Sequence, residues 1–464
     1  MFSKDVYINR RKKLQSKVES GIILMLGNND SPMNYADNVY HFRQDSTFLY
    51  FFGIDLQNHA AIIDIDNNKE YLFGDDISLG HIIWMGPQPT MEEKAFQVGV
   101  ENVRSMSDLS KMVNDAIKQG RKVHFTPPYR GENIMWMSDL LDVHHSKVKE
   151  MASLELTKAC INIRSVKEVC EIEEMERHMA TAYKMHTTAM KMAHDGVSEQ
   201  EISGALEGVS MSGGGIVSFP IICSKRGETL HNHYHGNILQ KGDLLLVDAG
   251  SESPLHYATD HTRTTAVGGK YSQRQKEVYE IVLAANNIAR EATKPGVTYK
   301  ECHLIAARVI ASGLKDLGLM KGDVDDAVAQ GAHAMFFPHG LGHMLGLDVH
   351  DMEDYNDTLV GYMDEMERST QFGLSALRLG RTLEKNWVVT NEPGIYFIPA
   401  LIDTWRTEGK FKDFINYDKV ESYKDFGGIR LEDDILLTDD GCRILGERIP
   451  ITIDDVEAVV QGKV

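Results

Sequence analysis

The first third of the chain alternates short apolar runs with amphipathic stretches. The runs GIILML (21–26) and AAIIDID (60–66) predict buried strands, because each is short, apolar and rich in branched side chains. The stretch YINRRKKLQSKV (7–18) predicts a helix, and we interpret its basic run Arg10–Lys13 as a solvated face. This pattern predicts a mixed α/β domain.

Beyond residue 165 the pattern changes to long helices followed by strands. Ser165 with Glu168, and Ser198 with Glu201, have the spacing of a capping box and predict two helix starts. Ser272 opens a third predicted helix, and a fourth covers roughly 299–317. Strand-like runs follow each helix pair, at 216–223, 243–250 and 262–269, and again at 344–350, 387–397 and 427–438. The repeated order predicts two similar halves facing each other, with a site between them.

Composition narrows the class of protein. A chain of 464 residues, 42% hydrophobic and 25% charged, has apolar material for two cores, and we place domains at 1–165 and 166–464. The formal net charge of −19 argues against a nucleic-acid partner, because phosphate binding needs a basic surface. Neither a membrane-spanning run nor a secretory signal is recognisable, and the five cysteines form no C-x-x-C pair. We therefore expect no membrane partner and a cytoplasmic location.

Two aspartates stand out against apolar strand patterns. Asp248 ends the run LLLVD, where an unpaired carboxylate would be costly to bury. Asp260 lies twelve residues later, and a hairpin through SESPLHYA would bring it back beside Asp248. Taken alone, each could be an ordinary turn residue. Held together, the two carboxylates would repel unless a cation or a proton lay between them.

The segment FFPHGLGHMLGLDVHD (336–351) contains three histidines and three glycines. We expect its glycines to favour a loop wrapped tightly around a ligand, with His339 and His343 on that loop and His350 on a following strand. A lone histidine of this kind is more often a core residue, but three within twelve positions make a site about as probable.

Further acidic residues lie in later strand-like runs. Glu392 precedes Pro-Gly in VVTNEPGIYF, and Arg430 and Glu432 are two positions apart, so they should share one strand face. Four carboxylates and one imidazole, without a thiolate, suit Mn²⁺, Co²⁺, Fe²⁺ or Zn²⁺, and suit two ions better than one. The complete candidate set is Asp248, Asp260, His343, Glu392 and Glu432.

Together these motifs resemble the metal-dependent pita-bread peptidases, in the branch of aminopeptidase P and prolidase. HGLGHMLGLDVHD, VDAG with TDHTRT, NEPGIYF and GIRLEDD are present in the family's order, and RQDSTFLYFFG (43–53) is similar to the creatinase-like amino-terminal domain of that branch. The resemblance implies an α/β (α+β) architecture. A mixed α/β amino-terminal domain would precede a pita-bread domain with pseudo-twofold halves and a curved antiparallel sheet.

The resemblance also assigns roles. It makes Asp248, Asp260, His343, Glu392 and Glu432 the ligands of two divalent ions, most simply Mn²⁺. His231, His339, His350, Glu392 and Arg430 would act in catalysis, and His231, His350 and Tyr396 would bind the substrate. His233 and His235 receive no role. The chain departs from the family at His261, where an aliphatic residue is usual, and in the longer interval between Asp248 and Asp260; we leave His261 as either a neighbour of the ligands or an exposed residue.

The activity implied is that of an Xaa-Pro aminopeptidase, which hydrolyses the bond before a proline at the second position by means of a hydroxide bridging the two ions. An Xaa-Pro dipeptidase (prolidase) is the alternative, since the long stretch between Glu392 and Glu432 looks more like prolidase. A pita-bread binding protein without catalysis is a remote alternative, because all five ligand positions are intact. A homo-dimer or homo-tetramer is expected by the same resemblance. A nucleophilic hydrolase is disfavoured, because the chain has no G-x-S-x-G motif.

Overall fold

The computed structural model describes residues 1–463, which form two compact units. The first comprises residues 1–164 with 354–356, and the second comprises 165–353 with 357–464. The functional division into domains 1–165 and 166–464 stays a prediction. The elements of the first unit, which we call the N-terminal unit, are α1 Lys4–Gln15, β1 Ile22–Leu26, β2 Pro32–Tyr35, β3 Asn38–Val39, α2 Ser46–Phe52, β4 Ala60–Asp64, β5 Lys69–Phe73, α3 Leu79–Met85, α4 Met91–Val98, β6 Asn102–Arg104, α5 Leu109–Lys118, β7 Val123–His124, α6 Gly131–Leu141 and α7 Leu154–Ser165.

The N-terminal unit is built on a mixed sheet with strand order β6-β5-β4-β1-β7. Its three central strands pair antiparallel, and the edge strands β6 and β7 pair parallel. Strands β1 and β4 confirm the two strand predictions, and α1 confirms the helix. The prediction of a solvated basic face is wrong in part. Arg10 and Arg11 are fully buried, because their guanidinium groups reach the carbonyls of Tyr50 and Phe51 in the packed interior.

The second unit, which we call the C-terminal unit, repeats a helix pair followed by strands. Its elements are α8 Val169–Met192, α9 Glu199–Ser212, β8 Ile222–Ser224, β9 Leu244–Ala249, β10 His261–Ala266, α10 Gln273–Ala292, α11 Tyr299–Asp316, α12 Val324–Gln330, α13 Asp357–Tyr362, β11 Val388–Asn391, β12 Gly394–Tyr396, α14 Pro399–Glu408, α15 Tyr417–Val420, β13 Gly428–Arg430, β14 Asp433–Leu437, β15 Cys442–Ile444 and α16 Ile453–Val460. The pair α8 and α9 precedes an antiparallel sheet with strand order β10-β9-β8. The pair α10 and α11 precedes an antiparallel sheet with strand order β11-β14-β15 and a separate antiparallel pair, β12-β13.

Helix capping was predicted well at two of three starts. Ser198 caps α9 in a reciprocal box with Glu201, and Ser272 caps α10 with Gln275. The box predicted for Ser165 and Glu168 is wrong. Ser165 is the last residue of α7, and α8 begins at Val169 with Glu168 as its cap.

The strand predicted over 344–350 is also wrong. Met344 makes a single bridge to Val389, and the following residues form bends instead of a ladder. Gly346 packs so closely on Asp351 that a Cβ there would lie 2.3 Å from a carboxylate oxygen, so the chain turns back on itself. None of the described helices is both long and apolar enough to cross a bilayer.

Candidate metal centre and substrate cavity

A cavity of about 510 Å³ opens between the two halves of the C-terminal unit. This volume lies within the usual range of small-molecule sites, about 300–1,000 Å³. All five predicted ligands line it, together with four of the other predicted site residues: Asp248, Asp260, His343, Glu392, Glu432, His231, His339, His350 and Arg430. The structure thus gathers nine of the ten predicted residues on one surface, and they come from strands and loops far apart in sequence.

The first two carboxylates are placed by the β9–β10 hairpin. Strand β9 carries Asp248, and Asp260 immediately precedes β10. The antiparallel register sets Thr262 opposite Asp248 and His261 opposite Ala249. Because side chains alternate between the two faces of a strand, the aspartates face the cavity and the residues beside them face away.

The glycine-rich loop packs against strand β11. The His343 N–H donates to Thr390 Oγ1 at 3.1 Å, and the Thr390 N–H donates to the His343 carbonyl at 3.0 Å. A Cβ on Gly342 would lie 2.2 Å from the carbonyl oxygen of Thr390. A glycine is therefore required at 342 by the strand contact. Gly340 and Gly342 also line the cavity beside the imidazole of His343, so a loop wrapped around a ligand stays a prediction.

Three ligand groups converge closely. One atom each of Asp260, His343 and Glu432 lie within 4.8 Å of one another. His343 Nε2 is 3.4 Å from an Asp260 oxygen and 3.8 Å from a Glu392 oxygen. The other ring nitrogen, Nδ1, donates to the carbonyl of Met344 at 3.0 Å, which leaves the lone pair of Nε2 directed at the carboxylates.

The electrostatics of this cluster favour a bound cation. Burial raises the pKa of Asp260 and of Glu432 well above the ordinary values, and neighbouring carboxylates raise both further. Burial also raises the pKa of Glu392, although His343 and Arg430 oppose the shift. Within residues 1–463, Asp248 Oδ1 and Asp260 Oδ1 are buried without a hydrogen-bond partner. Unsatisfied carboxylate oxygens beside a free imidazole nitrogen are a donor set that fits divalent metal ions.

Arg430 organises the opposite wall. Its Nη2 donates to Asp248 at 2.5 Å, its Nη1 to the Tyr396 hydroxyl at 2.9 Å and its Nε to Thr262 Oγ1 at 3.0 Å. Thr262 Oγ1 in turn donates to a Glu432 oxygen at 2.7 Å. One guanidinium therefore fixes Asp248 directly and Glu432 through a hydroxyl. Arg430 is the last residue of β13 and Glu432 lies in the link before β14, so they do not share a single strand as predicted, although both line the cavity.

Tyr396 lies behind this wall. It is fully buried and is absent from the residues that line the cavity within the described chain. Its hydroxyl lies 2.8 Å from His339 Nε2, and His339 Nδ1 donates to the Gly340 carbonyl at 2.8 Å. Burial lowers the pKa of His339 to about 3, so its ring is neutral and accepts the tyrosine proton at Nε2. Tyr396 would therefore act on a substrate indirectly, by holding His339 and Arg430 in place.

The predicted substrate histidines are on the open side of the cavity. His231 lies at the mouth of the cavity, where partial desolvation and nearby Arg430 lower the pKa of its ring. His350 Nδ1 is 3.3 Å from a Glu353 oxygen, and Arg378 Nη1 donates to the same carboxylate at 2.5 Å. Burial alone would raise the pKa of Glu353, but the contacts with His350 and Arg378 lower it to about 2. Glu353 is therefore a carboxylate that orients both basic side chains.

The sequence interpretation missed several residues of the site. Arg378 and His233 line the cavity, Thr262 connects Arg430 to Glu432, and Glu353 holds His350. Thr262 lies in the quoted motif TDHTRT, so its position was visible although its role was not. Arg378 follows an irregular segment without periodicity, and no local signal identifies it. His233 was treated as a polar loop residue, and only the folded loop shows that it borders the cavity.

Comparison with known proteins places the chain in a family. The family model described as "Metallopeptidase family M24" matches residues 173–439, and that described as "Aminopeptidase P, N-terminal domain" matches residues 7–125. Human Xaa-Pro dipeptidase is 30% identical over 97% of this chain and 91% of its own length. A probable Xaa-Pro aminopeptidase of Sordaria macrospora is 30% identical over 95% of this chain and 92% of its own length.

The solved structure of Pseudomonas aeruginosa aminopeptidase PepP superposes with a TM-score of 0.81 at 26% identity, covering 99% of this chain and 98% of that one. The chain therefore belongs to metallopeptidase family M24. Its two matched domains place it in the aminopeptidase P and prolidase branch, and the predicted fold class is confirmed.

Proposed function

We propose that the protein is an Xaa-Pro aminopeptidase that removes the amino-terminal residue preceding a proline. The observation that carries the proposal is the convergence of Asp260, His343 and Glu432 within 4.8 Å on a cavity of about 510 Å³. The relatives support it, since both an Xaa-Pro dipeptidase and a probable Xaa-Pro aminopeptidase match nearly the whole chain.

Five residues would hold two divalent ions: Asp248, Asp260, His343, Glu392 and Glu432. When bound, such ions supply Lewis acidity and lower the pKa of water, so that hydrolysis can proceed near neutral pH. We take Mn²⁺ as the first ion to test, because carboxylates dominate the donor set. Metal content of the purified protein, compared with that of an EDTA-treated sample, tests this assignment.

The chain's own side chains would handle the peptide. His231 and His350 line the cavity with ring N–H groups that can hold the scissile carbonyl and the charge that develops on it. Glu392, whose pKa burial raises, is suited to carry a proton towards the departing proline nitrogen. The acidic cluster attracts the substrate's terminal ammonium group, which would restrict cleavage to the first bond. A proline nitrogen carries no N–H, so the site needs no acceptor for one.

A second candidate is an Xaa-Pro dipeptidase, and Arg378 is the observation that favours it. Its guanidinium lines the same cavity without belonging to the predicted ligand set, and Glu353 orients it. A cation there could receive the free carboxylate of a terminal proline. A longer peptide would present no charge at this point, so Arg378 would then add little to its binding.

Steady-state kinetics with Mn²⁺ on Ala-Pro and Ala-Pro-Ala separate the two activities. Comparable kcat/KM values on both peptides support the aminopeptidase, and turnover of Ala-Pro alone makes the protein a dipeptidase. In an Arg378→Met variant, a rise in KM for Ala-Pro without one for Ala-Pro-Ala would assign the carboxylate contact to Arg378. Ala-Ala-Ala is the control, and its efficient cleavage would contradict specificity for proline. A metal-loaded protein that cleaves none of these peptides would favour the binding-protein alternative.

The expected homo-dimer or homo-tetramer is part of the same proposal. Helix α3 has no buried residue, and Trp84 is 86% exposed on it. Exposed apolar side chains grouped in this way are typical of protein contact surfaces. Light scattering on the wild type and on a Trp84→Glu variant tests the prediction, because a dimer that uses this surface should dissociate.

A further inference from the structure

The strands that carry Asp248 and Asp260 have a second face, turned away from the cavity. Three polar side chains meet there: His186 from α8, His261 from β10 and Asp434 from β14, and we call them the back-face cluster. Each is at most 3% exposed. The His186 and His261 rings lie 6.0 Å apart, and His261 Nδ1 is 3.6 Å from an Asp434 oxygen.

The back-face cluster contacts the backbone of both ligand strands. Asp434 Oδ2 accepts the N–H of Asp260 at 3.0 Å. His186 Nε2 donates to the carbonyl of Ala249, the residue after Asp248, at 3.0 Å. Neither contact reaches a ligand side chain. Both fix the main chain from which the ligand side chains project.

Neighbouring Asp433 gives the contrast that identifies this role. Its carboxylate forms ion pairs with Arg263 at 2.6 Å and with Arg448 at 2.8 Å, so its burial is compensated by two guanidinium groups. Asp434 instead lies 3.6 Å from the imidazole of His261, beyond hydrogen-bond distance, and this contact compensates its burial far less. Within residues 1–463, Asp434 Oδ1, His186 Nδ1 and His261 Nδ1 are buried without a hydrogen-bond partner. An apolar side chain could be buried there at a lower cost in folding free energy. The presence of polar groups therefore indicates a function beyond packing.

Resting on the proposed metal centre, we infer that Asp434, braced by His261, is a positioning residue for the ligand Asp260, and that His186 does the same for the strand of Asp248. The reason is geometric. A carboxylate can bind an ion tightly only if its backbone is held in one place, and groups behind the ligands commonly provide this constraint. This role gives a reason for the buried histidine at 261, beside a ligand.

Calorimetric titration of Mn²⁺ into EDTA-treated, full-length protein tests the inference. Asp434→Leu removes the acceptor for the Asp260 N–H, and Mn²⁺ binding should weaken about 10–100-fold. Asp434→Asn keeps an oxygen acceptor for the Asp260 N–H, so its Mn²⁺ affinity should stay close to that of the wild type. If the negative charge of Asp434 were the only requirement, this variant would bind Mn²⁺ as weakly as Asp434→Leu. Asp64→Leu is the matched control. Asp64 is another buried aspartate, paired with Arg121 in the N-terminal unit, and its loss should lower the unfolding temperature but leave Mn²⁺ affinity unchanged.

A second variant keeps the test decisive if Asp434→Leu does not fold. His261→Leu leaves the contact between Asp434 and Asp260 in place and removes only the brace, so Mn²⁺ binding should weaken in the same direction by a smaller factor. Equal Mn²⁺ affinity in the wild type and in whichever of Asp434→Leu and His261→Leu folds would overturn the inference while leaving the proposed function intact. Failure of the wild type itself to bind Mn²⁺ would overturn both.

Discussion

The N-terminal and C-terminal units both bury charged side chains, but they compensate them differently. In the N-terminal unit, Arg11 is fully buried, and its guanidinium donates to Glu70 at 2.8 Å and to the carbonyls of Phe51 and Val98 at 2.9 Å. The neighbouring Arg10 lies 3.8 Å from the ring centroid of Tyr50. The protein itself supplies the partners of these cations, and the arrangement joins α1 to the helices beside it.

In the C-terminal unit, the cavity gathers four carboxylates, and the guanidinium groups of Arg378 and Arg430 line it with them. Arg430 pairs with Asp248, whereas burial and mutual repulsion raise the pKa of Asp260 and Glu432. Here the chain leaves buried carboxylates whose mutual repulsion is relieved by protonation or by a bound cation. A buried charge whose partners belong to the protein therefore indicates a structural role. A group of buried charges of the same sign without such partners indicates a binding site. Four experiments test this distinction, in order of decreasing expected effect.

Glu432→Gln should nearly abolish activity. It removes a carboxylate ligand, and Lewis-acid assistance is worth several kcal/mol, so kcat/KM for Ala-Pro-Ala should fall on the order of 10³-fold. The metal-free variant should unfold no earlier than the metal-free wild type, because a buried like charge has been removed. Peptidase assays and thermal melts of EDTA-treated samples measure both. A large loss of stability in the metal-free state would mean that Glu432 is a structural residue.

Arg11→Met should have the opposite profile. It removes one donor from Glu70, which keeps the Gln15 amide, and leaves several carbonyls without the guanidinium. Breaking a buried pair of this kind costs about 3 kcal/mol of unfolding free energy. Urea denaturation measures the change, and the activity of the folded fraction should be preserved. Lys147→Met provides the matched control at an exposed pair with Glu150, where the change should stay below ~0.5 kcal/mol. Equal effects of the two substitutions would contradict the comparison.

Metal removal and pH should together change the unfolding free energy of the C-terminal unit. In metal-free protein, the folded-state pKa values of Asp260 and Glu432 lie above their unfolded values. The unfolded chain releases these protons first as the pH rises, so this contribution to stability is present below about pH 4 and is lost as pH climbs through the folded-state pKa.

Added Mn²⁺ should reverse that loss, by about 2.7 kcal/mol at a free concentration of one hundred times its Kd. Unfolding of EDTA-treated and Mn²⁺-loaded protein at pH 5 and pH 7.5 measures both effects. The Glu432→Gln variant should show a flatter pH dependence. A metal-free protein that gained stability from these carboxylates as the pH rose would contradict the assignment.

Tyr396→Phe should have the smallest effect. It removes one hydroxyl that joins His339 to Arg430, and a hydrogen bond of this kind contributes about 1 kcal/mol, or roughly fivefold in kcat/KM. Mn²⁺ content should not change, because Tyr396 contacts no predicted ligand other than through Arg430. A loss as large as that of Glu432→Gln would instead make Tyr396 part of the reacting centre.

Local patterns predicted the helices and strands well where the pattern itself stabilises the element. Ser198 and Ser272 cap helices because the bonds involved span three residues. The hairpin after β9 follows from the short stretch SESPLHYA between two strand-like runs. The strand expected over 344–350 failed because Gly346 must pack on Asp351, a contact that no periodicity reveals.

The candidate site was predicted only in part for a similar reason. Motifs quoted from the sequence contain all five proposed ligands, and the resemblance supplied their roles. Arg378, Glu353 and Asp434 were missed, because each matters through a partner that lies elsewhere in the fold. His261 could be read either way from the sequence, and its burial against Asp434 was decided by tertiary packing.

By itself, the sequence determined the identity of the donor groups, the order of the helix pairs and strands, and the family to which the chain belongs. Only the tertiary structure decided which buried charges have partners: Arg11 with Glu70, Asp433 with two arginines, and Asp260 with none of opposite sign close enough to prevent its rise in pKa. The physical reason is that the free energy of a buried charge depends on the groups within a few ångströms of it, and folding brings those groups from distant parts of the chain.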